Sequence, residues 1–229
     1  MQKRRTLLAE RRKKDKVLTI ALVGYTNTGK STLLNAMTGA DVLVKNALFA
    51  TLDPTSRAFE IEDVPFLLID TVGFLQDLPH HLIEAFKSTL ESALWCDLAL
   101  IVCNAAGEYE MEKQTTLQTL RGMGFTAPYL VVYNQCDRLK DLSALPHDGI
   151  AISAKYGIGL DALRARIFEM LQENFVRCTL FVPYAEFSSY SSLRPLITER
   201  SCTYVEDGME VRAIVPSIYA QMAKKYTVS

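Results

Sequence analysis

One eight-residue stretch constrains the fold of this chain more than any other; it consists of Gly24, Tyr25, Thr26, Asn27, Thr28, Gly29, Lys30 and Ser31. The stretch fits the pattern G-x-x-x-x-G-K-[ST]. An apolar, β-branched run precedes it at residues 17–23, and residues 32–37 after it have helical character. A strand, a glycine loop and a helix N-terminus in this order direct backbone N–H groups at an anion. The sequence therefore predicts a phosphate-binding loop that continues through Thr32, in which Lys30 reaches the β- and γ-phosphates and Ser31 binds Mg²⁺.

Composition is that of an ordinary globular protein, since 49% of the 229 residues are hydrophobic and 22% are charged. A net charge of −1 argues against bulk attraction to nucleic acid. The five cysteines lack metal-ligand spacing, which favours a reducing compartment and predicts a cytoplasmic location. No apolar run is long enough to span a membrane, so no membrane partner is expected. The chain is expected to be a monomer.

Charge is uneven along the chain, because residues 1–16 carry eight lysines and arginines against two acidic residues. Such a basic helical arm could contact a phosphate backbone. The alternative is a solvated helix that leads into the first strand, and the sequence favours neither.

Strand-like and helix-like segments alternate from residue 17 to about residue 173. Strands are predicted at 57–62, 64–69, 98–103, 129–133 and 150–152, and helices at 81–94, 110–122 and 160–171. Continuous apolar strands separated by helices predict an α/β domain with a mostly parallel sheet and helices on both faces.

The segment from 176 to 229 has a different pattern, which predicts a small C-terminal α+β domain. A strand is predicted at 177–182 and a helix at 188–200, interrupted by Pro195. Two further strands flank Asp207-Gly208, a strong hairpin signal. The predicted order is therefore β-α-β-β, with Pro216 starting a short last helix.

Directly after the predicted strand at 64–69 come Asp70, Thr71, Val72 and Gly73. At a strand end, Asp70 is expected to hold the Mg²⁺ shell through water, and the Gly73 amide to sense the γ-phosphate. Between this segment and the phosphate loop lie Phe49, Ala50, Thr51, Leu52, Asp53, Pro54 and Thr55. A threonine there can close the Mg²⁺ shell when the γ-phosphate is present. Thr51 and Thr55 both qualify.

Two later segments would select the base. Asn134, Gln135, Cys136 and Asp137 follow one predicted strand, and Ser153, Ala154 and Lys155 follow the next. A carboxylate at Asp137 would accept from the N1–H and N2–H₂ groups of guanine, a pair that adenine lacks. Asn134 would tie its loop to the phosphate loop, and a backbone amide of the second segment would donate to guanine O6. These segments, in this order, predict a guanine-nucleotide site.

At this point the sequence resembles the HflX-type ribosome-associated GTPases of the translation-factor-related class. The matching stretches are 24–33, 48–55, 70–74, 77–80 and 84–91. The run Phe-Ala-Thr-Leu-Asp-Pro-Thr at 49–55 is the most specific of them. The resemblance covers residues 17–173 well and the C-terminal segment more loosely. It implies that the P-loop GTPase domain binds GTP and GDP, that Thr51 is the Mg²⁺ threonine, and that the partner is the ribosome, through its large subunit or RNA.

Two features depart from the family pattern. The family has an N-terminal domain that engages the large ribosomal subunit and ends in a basic hairpin, and here only residues 1–16 resemble the end of that hairpin. Gln135 also stands where lysine is usual. A lysine stem packs on the purine face, so weaker nucleotide binding is expected here, with guanine preference kept by Asp137.

Hydrolysis is expected to be slow without an activator. Many GTPases orient the attacking water with a glutamine after the last glycine of the Asp-x-x-Gly motif, and Phe74 stands there instead. The groups left for catalysis are Lys30, Thr51, Gly73 and Asn27. In GTPases that resemble this class, an asparagine at the position of Asn27 can ligate K⁺ beside the phosphates. The alternative role for Asn27 is a hydrogen bond that shapes the loop.

The expected function is that of a Mg²⁺-dependent switch that hydrolyses GTP to GDP and phosphate and acts on the ribosome or its RNA. One alternative is a guanine-nucleotide-dependent docking module with negligible turnover, which Phe74 and Gln135 favour. Another is an ATP-using P-loop enzyme, against which Asp137 and residues 153–155 argue.

Overall fold

A computed structural model of the chain describes residues 17–39, 56–70, 94 and 96–228, and helices and strands are numbered in chain order within these ranges. The chain divides into two compact units. The larger covers Leu18–Ile61 and Pro65–Ile167, and the smaller includes Phe168–Ser229. The domain limits at 173 and 176 stay a prediction.

Among the described residues, the part of the chain before residue 172 contains the six strands of a mostly parallel sheet and three helices. Its strands are β1 (Leu18–Val23), β2 (Ser56–Ile61), β3 (Val64–Asp70), β4 (Leu98–Asn104), β5 (Tyr129–Asn134) and β6 (Gly149–Ala151). Its helices are α1 (Lys30–Thr38), α2 (Tyr109–Gly122) and α3 (Leu160–Leu171). Each of these elements agrees with its sequence prediction to within two residues, and the predicted helix at 81–94 lies outside the described residues except for its last residue.

The sheet of the larger unit has the order β2-β3-β1-β4-β5-β6. Strand β1 pairs in parallel with β3 on one side and with β4 on the other, and β4, β5 and β6 continue in parallel. The exception is β2, which a two-residue turn at Glu62 and Asp63 joins to β3 as an antiparallel hairpin. Chain order therefore reverses at β1, and ligands of open α/β sheets bind beyond the carboxyl ends of the strands at such a point.

Strand β4 forms the centre of the core, and every residue from Leu98 to Cys103 is at most 1% exposed. Its continuous apolar pattern is that of a parallel strand covered on both faces. Burial raises the pKa of the Cys103 thiol to about 12, and burial does the same for Cys96 just before the strand. Both thiols therefore stay protonated at neutral pH and act as small core residues.

Asp97 is a buried carboxylate that the sequence analysis did not identify. Its Oδ2 accepts a 2.9 Å hydrogen bond from the Thr19 amide, and its own amide donates to the Thr19 carbonyl at 2.8 Å. The pair of bonds fixes the start of β4 beside β1. Asp97 is thus structural, since buried polar groups are stabilised by such partners.

The smaller unit is built on a three-stranded antiparallel sheet of order β7-β9-β8. Its elements are β7 (Phe175–Pro183), α4 (Phe187–Leu193), β8 (Thr198–Val205), β9 (Gly208–Pro216) and α5 (Ala220–Ala223). One sheet face packs against the helices through a core that includes Leu180, Val211 and the fully buried ring of Tyr190. The Tyr190 hydroxyl donates to Glu199 Oε1 at 2.6 Å. The predicted β-α-β-β order is confirmed.

The predicted helix at 188–200 is wrong beyond Leu193. Residues 194–196 form a short 3₁₀ turn that contains Pro195, and Thr198 already belongs to β8. Thr198 pairs with Ile214 and Glu199 with Ala213 of β9. Proline favours the end of the α-helix, and cross-strand pairing then determines the conformation of the next residues. None of the helices in the described part of the chain has the length and apolarity that a membrane crossing needs.

Candidate nucleotide-binding site

The phosphate loop joins the end of β1 to the first turn of α1 and has little room for side chains. A Cβ atom on Gly24 would lie 2.2 Å from the Val102 carbonyl oxygen. Gly29 has a φ of +90°, and a Cβ there would lie 2.4 Å from Asn134 Nδ2. Glycine is therefore required at both positions. As the N-cap of α1, Gly29 has no side chain that could bond the first-turn amides, so these amides are available to bind an anion.

Lys30 is 6% exposed and contacts the loop that precedes it. Its ammonium donates to the Gly24 carbonyl at 3.0 Å and to the Tyr25 carbonyl at 2.6 Å. Burial lowers the pKa of Lys30, while the negative charges of Asp70 and Glu112 oppose that shift. The site thus holds a desolvated cation at the helix N-terminus, where an added anion would be strongly attracted.

Thr28 keeps the same loop closed. Its side chain is fully buried, and its hydroxyl donates to the Tyr25 carbonyl at 2.9 Å. The Tyr25 ring packs in the hydrophobic core, so Tyr25 can offer a nucleotide only its backbone.

Ser31 and Asp70 meet at the end of β3. The Ser31 hydroxyl donates to Asp70 Oδ2 at 2.6 Å. The other oxygen, Asp70 Oδ1, is buried without a hydrogen-bond partner among the described residues. A buried carboxylate oxygen without a partner is costly in an apolar environment, and a hydroxyl together with a carboxylate is a donor set that suits Mg²⁺.

Asn134 joins the phosphate loop to the two base-selecting segments. Its side-chain amide donates at 2.8 Å to the carbonyl of Thr28, which lies 106 residues earlier in the chain. Its Oδ1 accepts from the Ala154 amide at 3.0 Å. Asn134 is 2% exposed, so both bonds are shielded from water. One side chain therefore fixes three loops relative to one another.

Gln135 makes a second tie between the same loops. Its Nε2 donates to the Asn27 carbonyl at 2.9 Å, and its Oε1 accepts from the Arg138 guanidinium at 2.8 Å. Both Gln135 and Asn27 have left-handed backbone conformations, with φ values of 65° and 62°. The short turn Cys136–Arg138 follows, in which the buried thiol of Cys136 packs in the core.

Beyond these ties lies a cavity of about 360 Å³. It is lined by residues of the phosphate loop and of both base-selecting segments, namely Gly29, Thr32, Asn134, Gln135, Asp137, Arg138, Ser153 and Lys155. Ser153 is fully buried, and its backbone exchanges two hydrogen bonds with Ile158, at 3.0 and 3.1 Å. These two bonds close residues 153–158 into a tight loop. Within it, the Lys155 ammonium lies 5.0 Å from the centre of the Tyr156 ring. The cavity volume is in the range of small-molecule sites.

The structure brings most of the predicted site residues together. The phosphate loop, Ser31, Asp70 and the segments at 134–137 and 153–155 lie around the carboxyl ends of β1, β3, β5 and β6. Other predicted residues lie outside the described ranges: Phe49, Ala50, Thr51, Leu52, Asp53, Thr55, Thr71, Val72, Gly73 and Phe74. The basic arm at 1–16 lies outside them too. Their roles stay predictions.

Two residues near the site were missed by sequence reasoning. Arg138 lines the cavity directly after Asp137, and only its position in the sequence could have drawn attention to it. Glu112 accepts a 2.8 Å bond from the Asn104 amide at the end of β4, and burial raises its pKa. The charge of Glu112 acts on Lys30, although the two are 82 positions apart in sequence.

Comparisons with known proteins agree with this geometry. Residues 19–135 match a family described as 50S ribosome-binding GTPase. The GTPase HflX of Caldanaerobacter subterraneus subsp. tengcongensis is 40% identical over 233 residues, which cover 100% of this chain and 54% of that protein. The GTPase HflX of Chlamydia pneumoniae is also 40% identical, with coverage of 95% and 48%. The chain therefore spans about half the length of the curated relatives it matches.

A solved structure shows the same fold in the presence of a nucleotide. It is the crystal structure of a GTP-binding protein from the hyperthermophilic archaeon Sulfolobus solfataricus in complex with GDP. Its TM-score is 0.55 at 29% sequence identity, and the match covers 75% of this chain and 58% of that one. The family match over about half of the chain, together with relatives of 40% identity, shows that this chain belongs to the 50S ribosome-binding GTPase family and, within it, to the HflX-type GTPases.

Proposed function

We propose that this chain binds GTP with Mg²⁺, hydrolyses it slowly to GDP and phosphate, and acts in the cytoplasm as a molecular switch on the large ribosomal subunit. The observation that carries the proposal is the double hydrogen bonding of Asn134. It holds the phosphate loop and the base-selecting segments at a fixed separation, as the binding of one nucleotide by its phosphates and its base requires.

Guanine is the base that the cavity suits. The Asp137 carboxylate lines it and can accept from N1–H and N2–H₂ together. Adenine offers no such pair of donors and would leave the carboxylate without partners. Selectivity of this kind arises because a polar group without a partner in a bound complex costs free energy.

The phosphates belong at the N-terminus of α1. There the loop amides, the helix dipole and Lys30 supply positive potential. Lys30 is bonded to two carbonyls of its own loop. On binding, its ammonium would exchange carbonyl oxygens for phosphate oxygens, which carry more negative charge and make stronger hydrogen bonds.

The residues present also suit Mg²⁺. Ser31 would hold the ion, with Asp70 in its shell and the oxygen Oδ1 as an acceptor for a bound water, and Thr51 stays the predicted third group. The ion would supply charge neutralisation at the β- and γ-phosphates. What the described residues do themselves is to fix the Ser31 hydroxyl against Asp70 Oδ2.

The chain has few side chains that could position the attacking water. Phe74 stands where a glutamine would orient that water. Asn27 of the phosphate loop is a candidate for helping to stabilise the negative charge of the transition state. Its side chain is exposed, and its left-handed backbone is held by a hydrogen bond from Gln135. A K⁺ ion on the Asn27 side-chain oxygen would meet the charge that develops between the β- and γ-phosphates.

Hydrolysis is therefore expected to be several-fold faster in K⁺ than in Na⁺ at equal ionic strength. The smaller Na⁺ should fit less well between the Asn27 side-chain oxygen and the phosphate oxygens. The difference should vanish in Asn27→Ala. Phosphate release in the two salts measures this. Equal rates in the two salts for the unmutated protein would remove K⁺ from the mechanism and leave activation by the ribosome.

The ribosome is proposed as the partner on the strength of the family and of the basic arm. The matching family is described as ribosome-binding, and residues 1–16 would add contacts with RNA phosphates that weaken as salt rises. Binding would couple to the nucleotide through the switch segments that contain Thr51 and Gly73.

GTP turnover with and without purified large ribosomal subunits tests the proposed function. Turnover should be slow for the chain alone, rise with the subunits, and be lost in Ser31→Ala, whose change removes only one hydroxyl. Competition by ATP should be weak. Guanine-nucleotide-dependent cosedimentation with no turnover in either condition would instead establish the alternative, a docking module. Strong competition by ATP would exclude guanine selectivity.

A further inference from the structure

The side-chain amide of Gln135 lies between two groups of opposite hydrogen-bonding character. The backbone carbonyl of Asn27 can only accept a hydrogen bond, and the guanidinium group of Arg138 can only donate one. The observed bonds match this, with Nε2 on Asn27 at 2.9 Å and Oε1 on Arg138 at 2.8 Å. The two neighbours together allow one orientation of the amide, because the turned amide would place its oxygen against the Asn27 carbonyl and its NH₂ group against a cation.

Arg138 matters because residue 135 is a glutamine and not a lysine. The ammonium group of a lysine at position 135 would donate to the backbone carbonyl of Asn27 in any rotation about its last bond. An amide donates from one end only, so without Arg138 a half-turn of Gln135 would break the tie to the phosphate loop. Arg138 removes that freedom with a charge-assisted bond.

The tie matters because it holds two unfavourable backbone conformations. Asn27 and Gln135 both have positive φ, which costs a non-glycine residue free energy unless its surroundings hold it. Asn27 belongs to the phosphate loop, and Gln135 and Arg138 line the cavity beside Asp137. The bond from Gln135 to Asn27 thus joins the base end of the site to its phosphate end in parallel with Asn134.

We infer that Arg138 is a positioning residue for guanine-nucleotide binding, which fixes the amide of Gln135 so that it bonds the phosphate loop at Asn27. The inference rests on the proposed function, in that a guanine nucleotide is taken to occupy the cavity. Because Arg138 acts through Gln135, the effect of replacing Arg138 on nucleotide binding must depend on which residue stands at position 135.

A double-mutant cycle that measures nucleotide dissociation tests this dependence of Arg138 on residue 135. The release of a fluorescent GDP analogue is followed by stopped flow for the unmutated chain, Arg138→Met, Gln135→Lys and the double variant. Arg138→Met should release the analogue about fivefold faster, since a single net hydrogen bond corresponds to a factor of this order. In the Gln135→Lys background, the same change should have no effect. Arg121→Met, a change of an exposed arginine in the last turn of α2, serves as the matched control and should match the unmutated rate.

A readout of folding separates positioning from a structural role. Nucleotide-free Arg138→Met should fold, and its unfolding temperature should lie within a few degrees of that of Arg121→Met, because Arg138 is exposed and its loss weakens about one net hydrogen bond. Equal effects of Arg138→Met with glutamine and with lysine at position 135 would overturn the inference, and so would an unchanged release rate in the single variant. If the unmutated chain fails to bind the analogue, the proposed function itself falls. Tight binding that does not respond to Arg138→Met rejects the inference alone.

Discussion

Asp137→Asn is expected to lower GTP affinity on the order of a thousandfold and to make xanthosine triphosphate the better ligand. The change leaves size and shape almost unaltered, but it replaces a carboxylate that accepts two hydrogen bonds by an amide that accepts and donates. Two charge-assisted bonds together account for an effect of this order. Xanthine carries a carbonyl where guanine carries its amino group, so it can accept from the new amide.

Competition of GTP and xanthosine triphosphate against a fluorescent GDP analogue measures the exchange of preference. Asp161→Asn is the matched control, because Asp161 is an exposed carboxylate in the first turn of α3 that does not line the cavity. Its GTP affinity should equal that of the unmutated chain. If Asp137→Asn behaves like this control, the cavity beside Asn134 is not the base site.

Lys30→Met is expected to weaken GTP binding by a hundredfold or more, roughly the loss of two charge-assisted hydrogen bonds to phosphate oxygens. The folded state should tolerate the change. Methionine keeps most of the buried stem, and two opposed effects on stability partly cancel. The Gly24 and Tyr25 carbonyls lose their donor, but the cost of burying an ammonium group disappears as well.

Titration calorimetry with GDP and with a non-hydrolysable GTP analogue measures the loss, and thermal unfolding without nucleotide checks the fold. Lys140→Met, a change of an exposed lysine beyond the base-selecting segment, provides the control and should leave both measurements unchanged. Wild-type affinity in a folded Lys30→Met protein would show that the phosphates bind elsewhere.

Features that depend on local pattern could be predicted from the amino-acid sequence. Apolar runs of three to seven residues predicted β1 and β3 to β6 because parallel strands are covered on both faces. Glycine spacing predicted the phosphate loop because backbone conformation at Gly24 and Gly29 leaves room for no other residue. The placement of Asp70 and Asn134 at strand ends followed from the same pattern, since parallel strands bring their carboxyl ends to one edge.

Contacts between individual side chains of these segments depend on long-range packing. The sequence predicted that Asn134 ties its loop to the phosphate loop, but no local rule specified that its partner there is the carbonyl of Thr28, 106 residues away. The same holds for Arg138, which the sequence marked only as a charge after Asp137. Thr198 and Glu199 show where a local pattern fails, because they belong to the predicted helix but pair with β9. Local propensities are worth tenths of a kcal/mol, whereas a continuous ladder of hydrogen bonds and buried contacts adds up to more, so long-range pairing determined the outcome where the two disagreed.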